Sequence, residues 1–281
     1  MHWSLWVGSV GAFYLGVCAV MYLTQRRQVF FPPRELLATP KEWGLSYETL
    51  TSESGALTLE HWWLPGLDNQ PVVILFHGNA SNISQVGDYA TFFHTLGFGV
   101  LLTEYRGYGV NPGQPSEEGL YQDADSVWRL LVEEQGIVPE RLILYGHSLG
   151  GGPATWLAQH RPVGALVIEG SFTSVPDRGA ELYPYLPIRQ LARIIFPNRE
   201  RLAQIEETPT LIVHSREDGV IPIHHGRALF DAANKPKAFL ATRGGHDGDL
   251  MRNSPQLRHA MGELKSRMAP WRKSSALASE E

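Results

Sequence analysis

The stretch Leu142–Gln159, LILYGHSLGGGPATWLAQ, holds an apolar run, a glycine-rich turn that carries Ser148, and a helix-like segment. That order of strand, turn and helix is the setting in which a serine is lifted on a sharp turn to act as a nucleophile. A bare G-x-S-x-G arises by chance in roughly one chain in ten of this length at average glycine and serine usage, so the setting gives the motif its weight. Gly146 and Gly150 have a physical purpose there: a serine on so tight a turn needs neighbours without a Cβ, and the helix that follows can then start close to the sheet.

Outward from this stretch, short apolar runs recur at 72–76, 99–103, 142–145, 165–169, 210–214 and 238–242. Strands that are apolar throughout are covered on both faces. Helix-length segments fall between them at 83–95, 117–134, 149–160, 223–233 and 252–267, which predicts an α/β fold with a mostly parallel sheet. A further pair at 46–52 and 57–64, with Ser52–Gly55 as its turn, reads as an antiparallel hairpin and brings the sheet to about eight strands. Between Glu169 and Thr210 about 40 residues intervene, more than a crossover needs. This segment, bounded at 172–207, reads either as a small lid over a pocket or as an extra helix on the sheet edge.

A serine hydroxyl needs a base to take its proton, and the base needs an acid to hold its tautomer. Downstream, Asp218 in HSREDGVIP follows the run TLIVH, and His246 in RGGHDGD follows the run AFLAT. Both lie past the C-terminal end of a strand, on the rim where Ser148 also stands. An oxyanion hole needs backbone N–H groups; Leu149 offers one, and Asn79 in FHGNAS offers the second, with Gly78 permitting close approach. His77 in that loop reads as a brace, Glu217 as the neighbour of the acid, and His147 as a packing residue pointing away from Ser148. His224 and His225 read as surface or capping residues, and Arg106, Tyr105 and Tyr108 as structural. No histidine or carboxylate cluster has the four-residue spacing of a helical zinc motif.

FHGNAS, EYRGYGVNPGQPSEEG, GHSLGGG, HSREDGVIP and GGHDGD together resemble the membrane-anchored α/β-hydrolase-domain proteins of the serine hydrolase class, from about residue 40 to 267. The resemblance implies the α/β-hydrolase fold, with Ser148 as nucleophile, Asp218 as acid and His246 as base. It implies an esterase, lipase, acyl-protein thioesterase or peptidase, with no cofactor. Asp247 stands where relatives often carry Asn, and puts a second carboxylate beside His246 in the chain.

The chain of 281 residues carries a net charge of −5 with no long basic run, which excludes a nucleic-acid partner. Its single cysteine, Cys18, excludes an internal disulfide and a cysteine-based metal site. From Trp3 to Leu23 no charged residue occurs, and at about 1.5 Å per residue the run can cross a bilayer. With no basic segment before it and no A-x-A pattern after it, the run reads as an anchor at 1–25, not a cleaved signal. Arg26, Arg27 and Arg34 on its C-terminal flank predict a cytoplasmic catalytic domain. The expected organisation continues with a linker at 26–45, a catalytic domain at 46–270 and a flexible tail at 271–281. The expected function is hydrolysis of esters or thioesters in an acylated small molecule, lipid or lipidated protein. Peptidase activity on the same fold, or a non-catalytic binding role, are the alternatives.

Overall fold

The computed structural model describes residues 2–246 and 254–268, so Asp247 and the expected tail lie outside the described residues. An N-terminal helix, α1 (His2–Val29), precedes an eight-stranded sheet. The strands are β1 (Glu48–Ser54), β2 (Leu57–Leu64), β3 (Val72–Phe76), β4 (Gly99–Thr103), β5 (Leu142–His147), β6 (Ala165–Glu169), β7 (Thr210–Ser215) and β8 (Lys237–Thr242). Their order is β1-β2-β4-β3-β5-β6-β7-β8, with the β1–β2 and β2–β4 pairs antiparallel and the others parallel. This is the expected architecture, and its central strands are buried along their whole length.

Residues alternate between two cores. Ile74, Phe76, Leu142 and Leu144 enter the layer under α3 (Glu117–Arg129) and α4 (Gly151–His160). Val73, Leu75, Ile143 and Tyr145 enter the other layer, under α2 (Gly87–Thr95) and a C-terminal helix, Pro255–Arg267. Serine caps explain where several helices start: Ser116 accepts from the Gly119 N–H and Ser254 from the Leu257 N–H.

Among the boundaries that differ from the sequence reading, two change the local structure. The first strand runs on to Ser54, so the hairpin turn is only Gly55–Ala56, with Ser54 paired to Leu57. Ser52 and Ser54 look like turn residues but point inward, where they bond His61 and Asp123. The predicted helix at 117–134 changes after Arg129 into a π-helical turn, Leu130–Glu134.

The insertion after β6 holds α5 (Val175–Leu182), α6 (Ile188–Leu191) and α7 (Asn198–Leu202); α8 (Ile223–Ala232) follows β7, and the C-terminal helix is α9. The segment expected as a linker is partly helical, since α1 continues through Arg26 and Arg27 to Val29. Beyond it the chain is strapped onto the domain. Phe30 joins the core, and Pro33 and Glu35 accept hydrogen bonds at their carbonyls from Asn82. The window Gly8–Val29 is long and apolar enough to cross a membrane, with mean hydropathy 1.2 and only 6% of it buried against the protein.

Candidate active site

At the end of β5 the backbone of Ser148 takes φ +53°, a left-handed conformation rare for a residue with a side chain and costing about 1–3 kcal/mol. The glycines around it make this possible. A Cβ on Gly150 would stand 2.0 Å from the Phe76 carbonyl oxygen, and one on Gly146 would stand 2.5 Å from the Gly150 carbonyl oxygen. The first turn of the helix thus rests directly on β3. Ser171 adds a brace that the sequence did not reveal, its hydroxyl donating to the Ser148 carbonyl at 2.7 Å.

The structure brings Ser148, Asp218 and His246 together. His246 Nε2 lies 2.9 Å from Ser148 Oγ, and His246 Nδ1 lies 2.8 Å from Asp218 Oδ2. An ionised carboxylate can only accept, so Nδ1 carries the proton and Nε2 is left to accept from the serine hydroxyl. The other oxygen, Asp218 Oδ1, accepts from the Val220 and Ile221 N–H groups. Burial pushes the Asp218 carboxyl up, but the His246 hydrogen bond and these two amides outweigh it and hold the group below the ordinary carboxylate range. His214, buried beneath, donates from Nε2 to the Ile221 carbonyl at 2.7 Å and so fixes the acid's loop; burial lowers its pKa. Glu217 turns elsewhere and accepts from the Gly244 N–H.

Asn79 and Leu149 both line the cavity beside Ser148. Leu149 is second in the 3-10 turn Ser148–Gly150, where a helix start leaves N–H groups without an internal acceptor. Among the described residues the Asn79 N–H has no hydrogen-bond acceptor within the protein. The Asn79 side chain is fully engaged: its oxygen accepts from the Phe31 N–H and the Tyr108 hydroxyl, each at 2.9 Å, and its nitrogen donates to the Val29 carbonyl. The end of α1 is therefore bonded to the loop that faces Ser148. Tyr105 and Arg106 are braces, the first bonded to the His77 carbonyl and the second to Asp123. His77 is one too, with both ring nitrogens bonded, to Gly78 and Glu104.

Two histidine readings need correction. His147 does not turn away from the site: its Nε2 lies 3.3 Å from the His246 carbonyl, and it lines a cavity with Ser148 and His246. His225 is buried, its Nδ1 accepting from the Thr173 N–H, and with exposed His224 it contacts Glu181 on α5. The ligand atoms of Glu181, His224 and His225 lie within 4.8 Å of one another. Because Thr173 occupies Nδ1, a neutral His225 keeps its proton on Nε2, facing the carboxylate, which makes this a hydrogen-bonded cluster rather than an open ligand set.

Ser148 stands where two cavities of about 310 Å³ meet. One is apolar, walled by Phe172, Val175, Leu182 and Ile194 of the insertion and by Met21 and Val29 of α1. The other is polar, bordered by Ser81, Gln85, Tyr89 and His147. The insertion thus forms a wall of the pocket, and the contribution of α1 was not visible in the sequence.

A protein of Mycobacterium tuberculosis, the uncharacterised Rv2307c, is 35% identical over 250 residues, covering 86% of this chain and 85% of that protein. The model for serine aminopeptidase, S33 (Hydrolase_4) matches residues 68–199, a span that includes Ser148. The chain belongs to the α/β-hydrolase family. The hydrolase is also 29% identical over 231 residues to protein bem46 of Schizosaccharomyces pombe, covering 77% of each chain. Its fold matches that of the Pyrococcus furiosus esterase Pf2001 with a TM-score of 0.71 at 17% identity, over 85% of this chain and 97% of that one.

Proposed function

We propose that this hydrolase is a membrane-tethered serine hydrolase that cleaves ester or thioester bonds of acylated substrates through an acyl-enzyme. The observation that carries the reading is the continuous relay from Asp218 through His246 to Ser148, set where an apolar cavity meets a polar one. Ser148 Oγ attacks the carbonyl carbon as His246 Nε2 takes its proton, and Asp218 stabilises the imidazolium. The N–H groups of Asn79 and Leu149 receive the developing oxyanion. As the tetrahedral intermediate collapses, the leaving oxygen or sulfur takes the proton from Nε2. Water, activated by the same nitrogen, then releases the acid. The apolar cavity suits the acyl chain and the polar one the leaving group.

Support for retention of α1 as a tether comes from its far end. Val29 packs against the core and accepts at its carbonyl from Asn79, and Gln25 is bonded to the insertion, so removal of the helix would strip groups from the folded domain. Arg26 and Arg27 in the last turns of the helix and Arg34 beyond it favour a cytoplasmic catalytic domain. The test is turnover of p-nitrophenyl esters of increasing chain length and of an aminoacyl amide, by the wild type and Ser148→Ala. Preference for a medium or long acyl ester, abolished in the variant, is expected. Faster turnover of the amide would instead make the enzyme a peptidase.

A further inference from the structure

The insertion climbs along α1 in a fixed register. At its lower end the Gln25 side chain donates to the Leu191 carbonyl and accepts from the Arg193 N–H, each at 2.7 Å. At its upper end the Tyr14 hydroxyl donates to the Tyr185 carbonyl at 2.9 Å. Gln25 and Tyr14 are 11 helical residues apart, about 17 Å at 1.5 Å per residue. Half of a bilayer's hydrocarbon layer is roughly 15 Å. If the arginines next to Gln25 sit at the headgroups, Tyr185 lies deep in the hydrocarbon.

The chemistry of the tip agrees with that depth. Residues 182–188, LYPYLPI, carry no charge, whereas Arg193 lies at the lower end, its N–H bonded to Gln25, and Arg189 is paired with Asp177 on α5. Tyr185 is 67% exposed and Leu182 53%. Backbone groups in lipid must be satisfied within the protein. Here Pro184 and Pro187 have no N–H to satisfy, and the N–H groups of Tyr183, Leu186 and Ile188 bond to the Gly179, Tyr183 and Leu186 carbonyls, so that among the described residues the Tyr185 N–H alone of residues 183–188 is left without an acceptor. The Tyr185 carbonyl is taken by Tyr14. Leu182 and Tyr183 also border the cavity at Ser148.

We propose that the tip Leu182–Leu186 is immersed in the bilayer beside α1 and that the Ser148 cavity opens there, so the substrate is an acyl lipid taken laterally from the membrane. The proposal rests on the reading that α1 crosses a membrane, and it commits to lipid as what covers the tip.

Depth-dependent quenching separates the two. In full-length protein carrying Cys18→Ser, single cysteines at Tyr185, Leu15 and Glu140 are labelled with an environment-sensitive nitrobenzoxadiazole. The proteins are then reconstituted into phosphatidylcholine vesicles. Leu15 and Glu140 are exposed, on α1 and before β5 respectively. Doxyl-labelled lipids should quench the Tyr185 and Leu15 sites and spare Glu140, while iodide should quench Glu140 alone. Iodide quenching at Tyr185, with Leu15 still quenched from lipid, would overturn the immersed tip while leaving the span intact; this is also the outcome if a protein partner covers the tip in the cell. Iodide quenching at Leu15 would overturn the span and the proposal together. Tyr185→Asp adds a functional reading: hydrolysis of a vesicle-embedded acyl ester should fall roughly tenfold or more, with hydrolysis of soluble p-nitrophenyl acetate unchanged. Equal losses on both substrates would contradict the proposal.

Discussion

Gly150 and Phe76 stand so close that a methyl group on the glycine would fall 2.0 Å from the phenylalanine carbonyl oxygen. Backbone, not a flexible side chain, blocks the space. Gly150→Ala should therefore destabilise the domain by about 3 kcal/mol or more. Gly262 on α9 offers the contrast, with no heavy atom within 4 Å of the added Cβ. There the alanine should stabilise by about 0.5–1 kcal/mol through helix propensity alone. Thermal unfolding of both variants in detergent checks the pair, with opposite shifts of Tm as the expected result.

Asp218 holds one tautomer of His246, and Asp218→Asn keeps the shape while removing that preference. Turnover should fall by about 10⁴ with little change in Tm. Esterase assays beside a melting curve test this, and a comparable loss of stability would assign the residue a folding role instead.

Gln25 ties α1 to the insertion by two hydrogen bonds, and it lines the apolar cavity. Gln25→Ala should raise KM for long-chain esters by about tenfold, since the two lost bonds are each worth roughly 0.5–1.5 kcal/mol. Limited proteolysis should cut residues 183–197 sooner in the variant. An unchanged KM and cleavage pattern would count against the coupling.

His61 is buried, with Nδ1 accepting from the Glu104 N–H and Nε2 bonded to the Ser52 hydroxyl. Burial pushes its pKa down to about 3. The unfolded chain takes up that proton near pH 6.5 and the native one does not, so this contribution is full above pH 6.5 and is lost as pH falls towards 3. From pH 7 to 5 the loss should be about 2 kcal/mol. Tm at the two pH values should drop less in His61→Gln than in the wild type. Asp218, held low, contributes in a different window: its part persists until the pH falls below the ordinary carboxylate range.

What the sequence made legible was local. Runs such as VVILF and ALVIE are apolar because both faces of their strands are covered, and the serine turn is legible because only glycine fits beside it. Contacts between distant residues were not legible. Gln25 and Leu191 are 166 positions apart, and nothing in QRRQVFFPPRE signals that its Phe30 enters the core. His225 looks like a surface residue until Thr173 and Glu181 are folded against it. Ser52 and Ser54 mimic a turn because inward-facing serines and turn serines are the same residue type.

The central claim is that Ser148 is the nucleophile, and its most direct measurement is labelling with an active-site-directed fluorophosphonate, mapped by tandem mass spectrometry. The account predicts a single modified residue, Ser148, in the wild type and no labelling of a folded Ser148→Ala protein. Equal labelling of the two, or modification of another serine in the wild type, would contradict it.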